Sequence, residues 1–163
     1  MSLYQRDASD IIDYVKNNEA EPWQASNIRE IITNGFELSM GYKFYLGAFR
    51  PQSINIGYSN INDDLLETDF AFSRYALNSL KNQITATYMF QVRDFISSTI
   101  SFKNSKRLND EGYTLIDFRT SYINDKFTIS VILNNILDTE YSETNLVPMP
   151  GFNSLVGIKY SIN

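Results

Sequence analysis

Five consecutive segments in the second half of this chain alternate apolar and polar side chains, and no other feature limits its fold as strongly. Ile84, Ala86, Tyr88, Phe90 and Val92 interleave with Thr85, Thr87, Met89 and Gln91. Ile96, Ile100 and Phe102 then face Ser97, Thr99, Ser101 and Lys103, and Ile116, Phe118 and Tyr122 face Asp117, Arg119 and Ser121. Phe127, Ile129, Val131 and Leu133 oppose Thr128, Ser130 and Asn134, and Val156, Ile158, Tyr160 and Ile162 oppose Gly157, Lys159 and Ser161. A period of two gives each strand one dry and one wet face. Arg93-Asp94 and Asn124-Asp125 read as two-residue turns, whereas the connections near 104–112 and 137–152 are several times longer. Short turns at one end and long loops at the other are what an outer-membrane barrel shows.

The first half continues the pattern less regularly. Residues 10–16 place Ile11 and Val15 on one face and Ile12 and Tyr14 on the other, leaving that strand undecided. Residues 16–27 are polar, contain Pro22 and read as a loop. Phe36, Leu38, Met40, Tyr42 and Phe44 alternate with Glu37, Ser39, Gly41 and Lys43, and Gly35 marks an expected bulge or bend where the phase changes. After a turn around Gly47 and Pro51, Ile54, Ile56 and Tyr58 give a third strand. Residues 60–83 form the longest connection, whose apolar centre (Phe70, Ala71, Phe72) has room for a helical turn.

The expected fold is therefore all-β: an antiparallel up-and-down meander of about eight strands. They lie near 10–16, 28–45, 52–60, 83–92, 95–103, 113–123, 126–136 and 153–162. The meander is read as part of a transmembrane β-barrel, or as re-closed from one. The external loops would be 17–27, 60–83, 104–112 and 137–152, with the C-terminus on the periplasmic side.

Composition removes several function classes. The 163 residues include no cysteine and no histidine, so thiolate or imidazole metal sites and Ser-His or Cys-His catalytic pairs are out of reach. The formal charge of −5 comes from 14 basic and 19 acidic residues without a basic run, which argues against nucleic-acid binding. Asp63-Asp64 and Asp110-Glu111 lack the ligand spacing of a calcium loop and read as solvated charge. Asp13 and Glu37 could form a carboxylate pair for glycoside hydrolysis, but nothing places them together, and no enzyme is read here. Phosphate-loop and dinucleotide motifs are absent. No cofactor and no metal is expected. The 11 Tyr and 11 Phe fit either strand packing or interfacial girdles. No stretch reaches the ~20 apolar residues of a transmembrane helix. Met1-Ser2-Leu3-Tyr4-Gln5-Arg6 lacks the apolar core of a signal peptide, so residues 1–3 read as an added leader before a piece of a longer chain, 4–163.

Several landmarks carry a resemblance. Arg6-Asp7-Ala8-Ser9-Asp10-Ile11, Asn27-Ile28 after Pro22-Trp23, and Gly35-Phe36-Glu37 are similar to strand landmarks at the C-terminal end of a TonB-dependent outer-membrane receptor barrel. Ser73-Arg74-Tyr75-Ala76-Leu77-Asn78 resembles one of its loops. Asn135-Ile136-Leu137-Asp138-Thr139-Glu140-Tyr141 resembles that family's N-L-x-D-x-x-Y, and Pro148-Met149-Pro150-Gly151 resembles its P-x-P-G. Two departures stand out. Phe152 occupies the position where the family usually has Arg, and the chain ends Tyr160-Ser161-Ile162-Asn163 rather than on an aromatic, so the terminal folding signal is altered or trimmed.

The resemblance implies a fragment of a receptor of the vitamin B12 or siderophore type, in the bacterial outer membrane. Such a parent takes up a siderophore or corrinoid-like nutrient past a plug domain when TonB pulls. The plug and the TonB-contacting segment are expected to lie outside this chain, which would supply barrel wall and external loops without transporting by itself. Glu37, Lys43, Lys103, Asp117, Arg119 and Lys159 would line the interior against the plug. Each landmark also has a purely structural explanation in loop and turn chemistry, which is favoured. Trp23, Arg74, Tyr75 and Arg107 are ligand-contact candidates by loop position alone. The isolated fragment is expected to self-associate through its unpaired edges or its apolar face. The main alternative is a soluble eight-stranded, lipocalin-like barrel with the apolar stripe inward. A small self-closed membrane barrel with a structural or adhesive role is a third.

Overall fold

The computed structural model describes residues 1–47, 50–66, 71–73, 80–107, 111–143 and 147–161. They form one antiparallel sheet with no helix among the described residues. The strands are β1 (Ser2–Lys16), β2 (Gln24–Leu46), β3 (Arg50–Leu66), β4 (Phe72–Ser73), β5 (Leu80–Arg93), β6 (Ile96–Arg107), β7 (Tyr113–Ile123), β8 (Phe127–Asn134) and β9 (Asn153–Tyr160). Their order, β4-β1-β2-β3-β5-β6-β7-β8-β9, is an up-and-down meander of eight long strands in which β4 crosses back to pair with the end of β1. Among the described residues the sheet does not close: β9 pairs on one side only, and β1 before Val15 pairs only with β2.

The expected meander is present, with three corrections. A ninth, two-residue strand is added inside the long 60–83 connection, and β3 itself runs on to Leu66. The expected helical turn there falls partly outside the described residues; Ala71 is a bend and Phe72–Ser73 extended. β1 begins at Ser2 rather than near residue 10. Its first residues alternate poorly but pair with β2 from Ser2↔Glu37 onward, so tertiary pairing overrides a weak local signal. Beyond Asp10, which takes φ 54, Asp13 and Val15 are buried while Ile12 and Tyr14 are exposed, resolving the undecided strand. Lastly, Gly35 is not a bulge. The β1–β2 and β2–β3 registers pass through it without a shift. Instead the Tyr4 ring lies where a side chain would stand. The glycine lets an aromatic from the neighbouring strand cover it.

Register assembles the alternating residues into two unlike faces. Met40–Ile56–Ala86–Phe102–Ile116 lie side by side across β2, β3, β5, β6 and β7, and Tyr42–Ile54–Tyr88–Ile100–Phe118–Leu133 form the next row on the same face. The row between them, pointing the other way, is Gly41–Asn55–Thr87–Ser101–Asp117. All six charged residues expected on one face (Glu37, Lys43, Lys103, Asp117, Arg119 and Lys159) do lie on this second, polar face.

No described segment covers the apolar face. Met40, Tyr42 and Ile56 are exposed, and Val156 and Ile158 on β9 reach 71% and 74%. The buried apolar side chains among the described residues are three: Val15, Tyr113 and Leu115. Each aliphatic side chain left in water forgoes roughly 1.5–3 kcal/mol of burial energy. A sheet with this pattern requires an apolar partner phase or a second layer.

Candidate functional site

Two features of the sheet are built for more than strand pairing: the uncovered apolar face, and a loop folded onto the polar one.

The apolar face is graded along the strands. On β2 it runs from Phe36 to Phe44, about 27 Å along the strand at ~3.4 Å per residue. Toward the long-loop end it gives way to amides. Asn60 and Asn82 face each other with Nδ2 donating to Oδ1 at 2.5 Å, the Tyr58 hydroxyl lies 3.4 Å from the same Asn82 oxygen, and Asn104 donates to the Thr114 hydroxyl at 2.9 Å. Toward the short connections at 47–49, 94–95 and 124–126 it gives way to rings. Tyr42 stacks on Phe44 at 5.6 Å, Tyr88 on Phe90 at 4.9 Å, and Tyr122 touches both Phe95 and Phe127. Polar atoms within the apolar stretch are satisfied locally. Ser98, only 4% exposed, shares a hydrogen bond with the Thr120 hydroxyl at 2.9 Å, and the Tyr88 hydroxyl donates to Gln52 Oε1 at 2.7 Å.

The loop after β8 folds back over the polar face at the long-loop end. Asn135, 3% exposed and at φ 50, is its pivot, a conformation Asn tolerates better than most residues. Its amide donates to the carbonyls of Thr139 and Pro150, and its Oδ1 accepts the Thr139 N–H at 3.0 Å. Its backbone N–H donates to Asp117 Oδ1 at 2.8 Å. Asp138, also at φ 50, accepts the Phe152 N–H at 2.7 Å, and a Cβ on Gly151 would stand 2.6 Å from that carboxylate oxygen. The two landmark segments 135–141 and 148–151 thus lock onto each other, and Asn135, Asp138, Pro150 and Gly151 all act in that lock. The Phe152 position contributes its backbone N–H to it, which any residue but proline supplies.

Farther along the loop, Glu143 Oε1 receives Lys103 Nζ at 2.5 Å and the Tyr113 hydroxyl at 3.1 Å. Tyr141 packs against the Tyr113 ring, centroids 4.6 Å apart, and Lys103 Nζ stands over the Tyr113 ring, 5.6 Å from its centroid. The hydrogen bond from Lys103 holds the Glu143 carboxyl below its ordinary value despite partial burial, with Arg107 adding positive potential. Burial first, then the negative charge of Glu143, pushes the Tyr141 hydroxyl up. A pocket of about 290 Å³ lies beneath the loop, walled by Leu115, Asp117, Asn135, Tyr141, Met149 and Pro150 among others. This arrangement ties the loop to β6 and β7.

Of the position-based ligand candidates, Trp23 and Arg107 are not brought together. Trp23 is exposed beside β2, with Lys16 Nζ 4.9 Å from its ring centroid. Arg107 ends β6, with β3 and β5 lying between it and the β1–β2 hairpin. Arg74 and Tyr75 lie outside the described residues. Asp13 pairs opposite Ser26 and Glu37 opposite Ser2, at the two ends of the β1–β2 ladder, so they form no carboxylate pair. Asp63 accepts the Thr33 hydroxyl at 2.6 Å, and no cluster of three metal-ligating side chains occurs among the described residues. Sequence reasoning placed Lys103 on the polar face but passed over Tyr113 and Glu143, because a lone Glu in an aperiodic loop carries no signal of its partner. No family model, curated protein or solved structure matches this chain.

Proposed function

We propose that this chain forms wall and external loops of an outer-membrane β-barrel, of the TonB-dependent receptor type that its landmark residues resemble. The observation that carries the reading is the one-sided sheet. Eight long strands place their apolar residues on one face, and no described segment covers that face. Its apolar length is close to the ~25 Å band of outer-membrane barrels, and an aromatic belt lies at the short-turn end. The polar face, rich in Ser, Thr, Gly and both signs of charge, suits a water-filled or plugged interior. On this reading the two free sheet edges continue into further strands of the barrel. The long-loop ends face outward, where a scarce nutrient of siderophore or corrinoid type would first be met. The role of this segment is scaffold and mouth, not catalysis.

Solution behaviour tests the proposal. The chain is expected to associate in detergent-free buffer and to become monodisperse in micelles. A monodisperse, cooperatively unfolding monomer without detergent would overturn the reading in favour of a barrel closed with its apolar stripe inward.

A further inference from the structure

Strand pairing carries each register row straight across the apolar face, yet the chemistry along a row changes partway. Phe36 on β2 shares its row with Asn60, Asn82 and Lys106. In the next row Leu38, Tyr58 and Ile84 are followed by Asn104 and Thr114 on β6 and β7. The Met40 row stays apolar as far as Ile116 on β7. The Tyr42 row reaches Leu133 on β8 before Ser154 ends it on β9. The Phe44 row is the first to meet an apolar residue on β9, Val156. The border of the apolar band thus descends four rows from Phe36 on β2 to Val156 on β9. Four rows are eight residues, about 27 Å along the strands, against about 29 Å across six strand spacings, an inclination of roughly 43°. The rings at the opposite border drift the same way. Phe44 and Phe90 share a row, Tyr122 lies one row on, and Phe127 and Tyr160 lie two rows on.

We infer that the apolar face docks obliquely in a bilayer: its stepped border lies at one headgroup layer, with Asn60, Asn82, Asn104 and Lys106 just outside. The inference rests on the lipid-facing reading above and adds to it an angle and a set of residues that share a depth. A bilayer imposes one level on every strand that crosses it, whereas a second protein layer imposes none. The inclination falls within the roughly 35–45° tilt of outer-membrane strands. The amides outside the border both donate and accept hydrogen bonds, and exposed Lys106 adds a positive charge, which suits phosphate-bearing headgroups. Ile84, Ile116 and Val156, from three different rows, then lie at one depth. Met40 and Ile116, from a single row, do not.

Depth-resolved quenching in phospholipid vesicles tests it, with nitroxides at a shallow or a deep acyl-chain position as the probe. I84C, I116C, V156C, M40C and I129C each carry one fluorophore, since the absence of cysteine makes any introduced thiol unique. The first three labels are expected at one shallow depth. M40C and I129C, two rows in from the border, are expected about 10 Å deeper at that inclination. Equal depths at M40C and I116C would overturn the inclination while leaving the lipid-facing reading in place. No quenching at any of the five sites would overturn that reading and the inference with it. Polarised infrared spectra of the unsubstituted chain in oriented bilayers give a second measure. Strands roughly 35–45° from the membrane normal are expected, and strands parallel to the normal would overturn the inference.

Discussion

Asp138 Oδ1 accepts the backbone N–H of Phe152 at 2.7 Å, joining two sequence landmarks across the loop that connects the last two strands. Asn135 makes the complementary tie, reaching the Pro150 carbonyl and the Thr139 backbone on both sides. The Asn135→Ala variant is expected to lose about 2–3 kcal/mol, from buried backbone groups left unpaired and from a less tolerant residue at positive φ. Asp138→Ala, at a more exposed site, is expected to lose about 1 kcal/mol. Urea-unfolding midpoints of the two variants measure the difference. Equal, negligible losses would mean the loop is not locked by these side chains.

Gly35 tests the strand contact that replaced the expected bulge. A Cβ there would overlap the Tyr4 ring, so Gly35→Ala is expected to destabilise by about 1–3 kcal/mol through overpacking. Combining it with Tyr4→Ala removes the clash, and a double-mutant cycle is expected to show coupling between the two sites. Additive effects would contradict the contact.

Ser98 and Thr120 satisfy one another within an apolar face. Ser98→Val alone leaves the Thr120 hydroxyl without that partner and is expected to cost about 1 kcal/mol or more. The double change to valine is expected to be nearly neutral, because both polar groups leave together. Thermal unfolding of the single and double variants decides it; an additive double variant would show that the hydroxyls act independently.

Two groups in the loop set opposite limbs of the pH profile. Glu143 is depressed in the folded state, so its contribution is present above the unfolded glutamate value and fades as pH falls through the lower folded value. Tyr141 is raised, so its contribution is present below the unfolded tyrosine value of about 10 and is lost as pH rises through the higher folded value. Accordingly, Glu143→Gln should flatten part of the acid limb and Tyr141→Phe part of the alkaline one, measured as unfolding midpoints against pH. A variant that leaves its limb unchanged removes that group from the linkage.

Much of the fold was legible because alternation and connection length are local properties. The run from Ile84 to Val92 announces both its strand and its two faces, and the alternation of short and long connections fixes which strands are neighbours. Lys103, Asp117 and Arg119 could be assigned to one face for the same reason. What was not legible depends on partners distant in sequence. The segment from Ser2 to Ser9 becomes strand by pairing with β2, and Gly35 makes room for Tyr4. Glu143 finds Lys103 only because the loop folds back. Which side of the sheet the described residues leave uncovered is a property of the assembled sheet, which no period of two encodes. Trp23 and Arg107 lie strands apart because loop position says nothing about distance across a sheet.

Depth-dependent quenching in bilayers tests the central claim most directly. Single cysteines at Ile54, Asn55 and Ile56 on β3, and at Ser130 and Val131 on β8, would carry a fluorophore in chain reconstituted into vesicles of brominated phospholipid. The account predicts quenching with a period of two: strong at 54, 56 and 131, weak at 55 and 130. Quenching at 55 and 130 instead, or none at any position, would contradict a lipid-facing apolar surface.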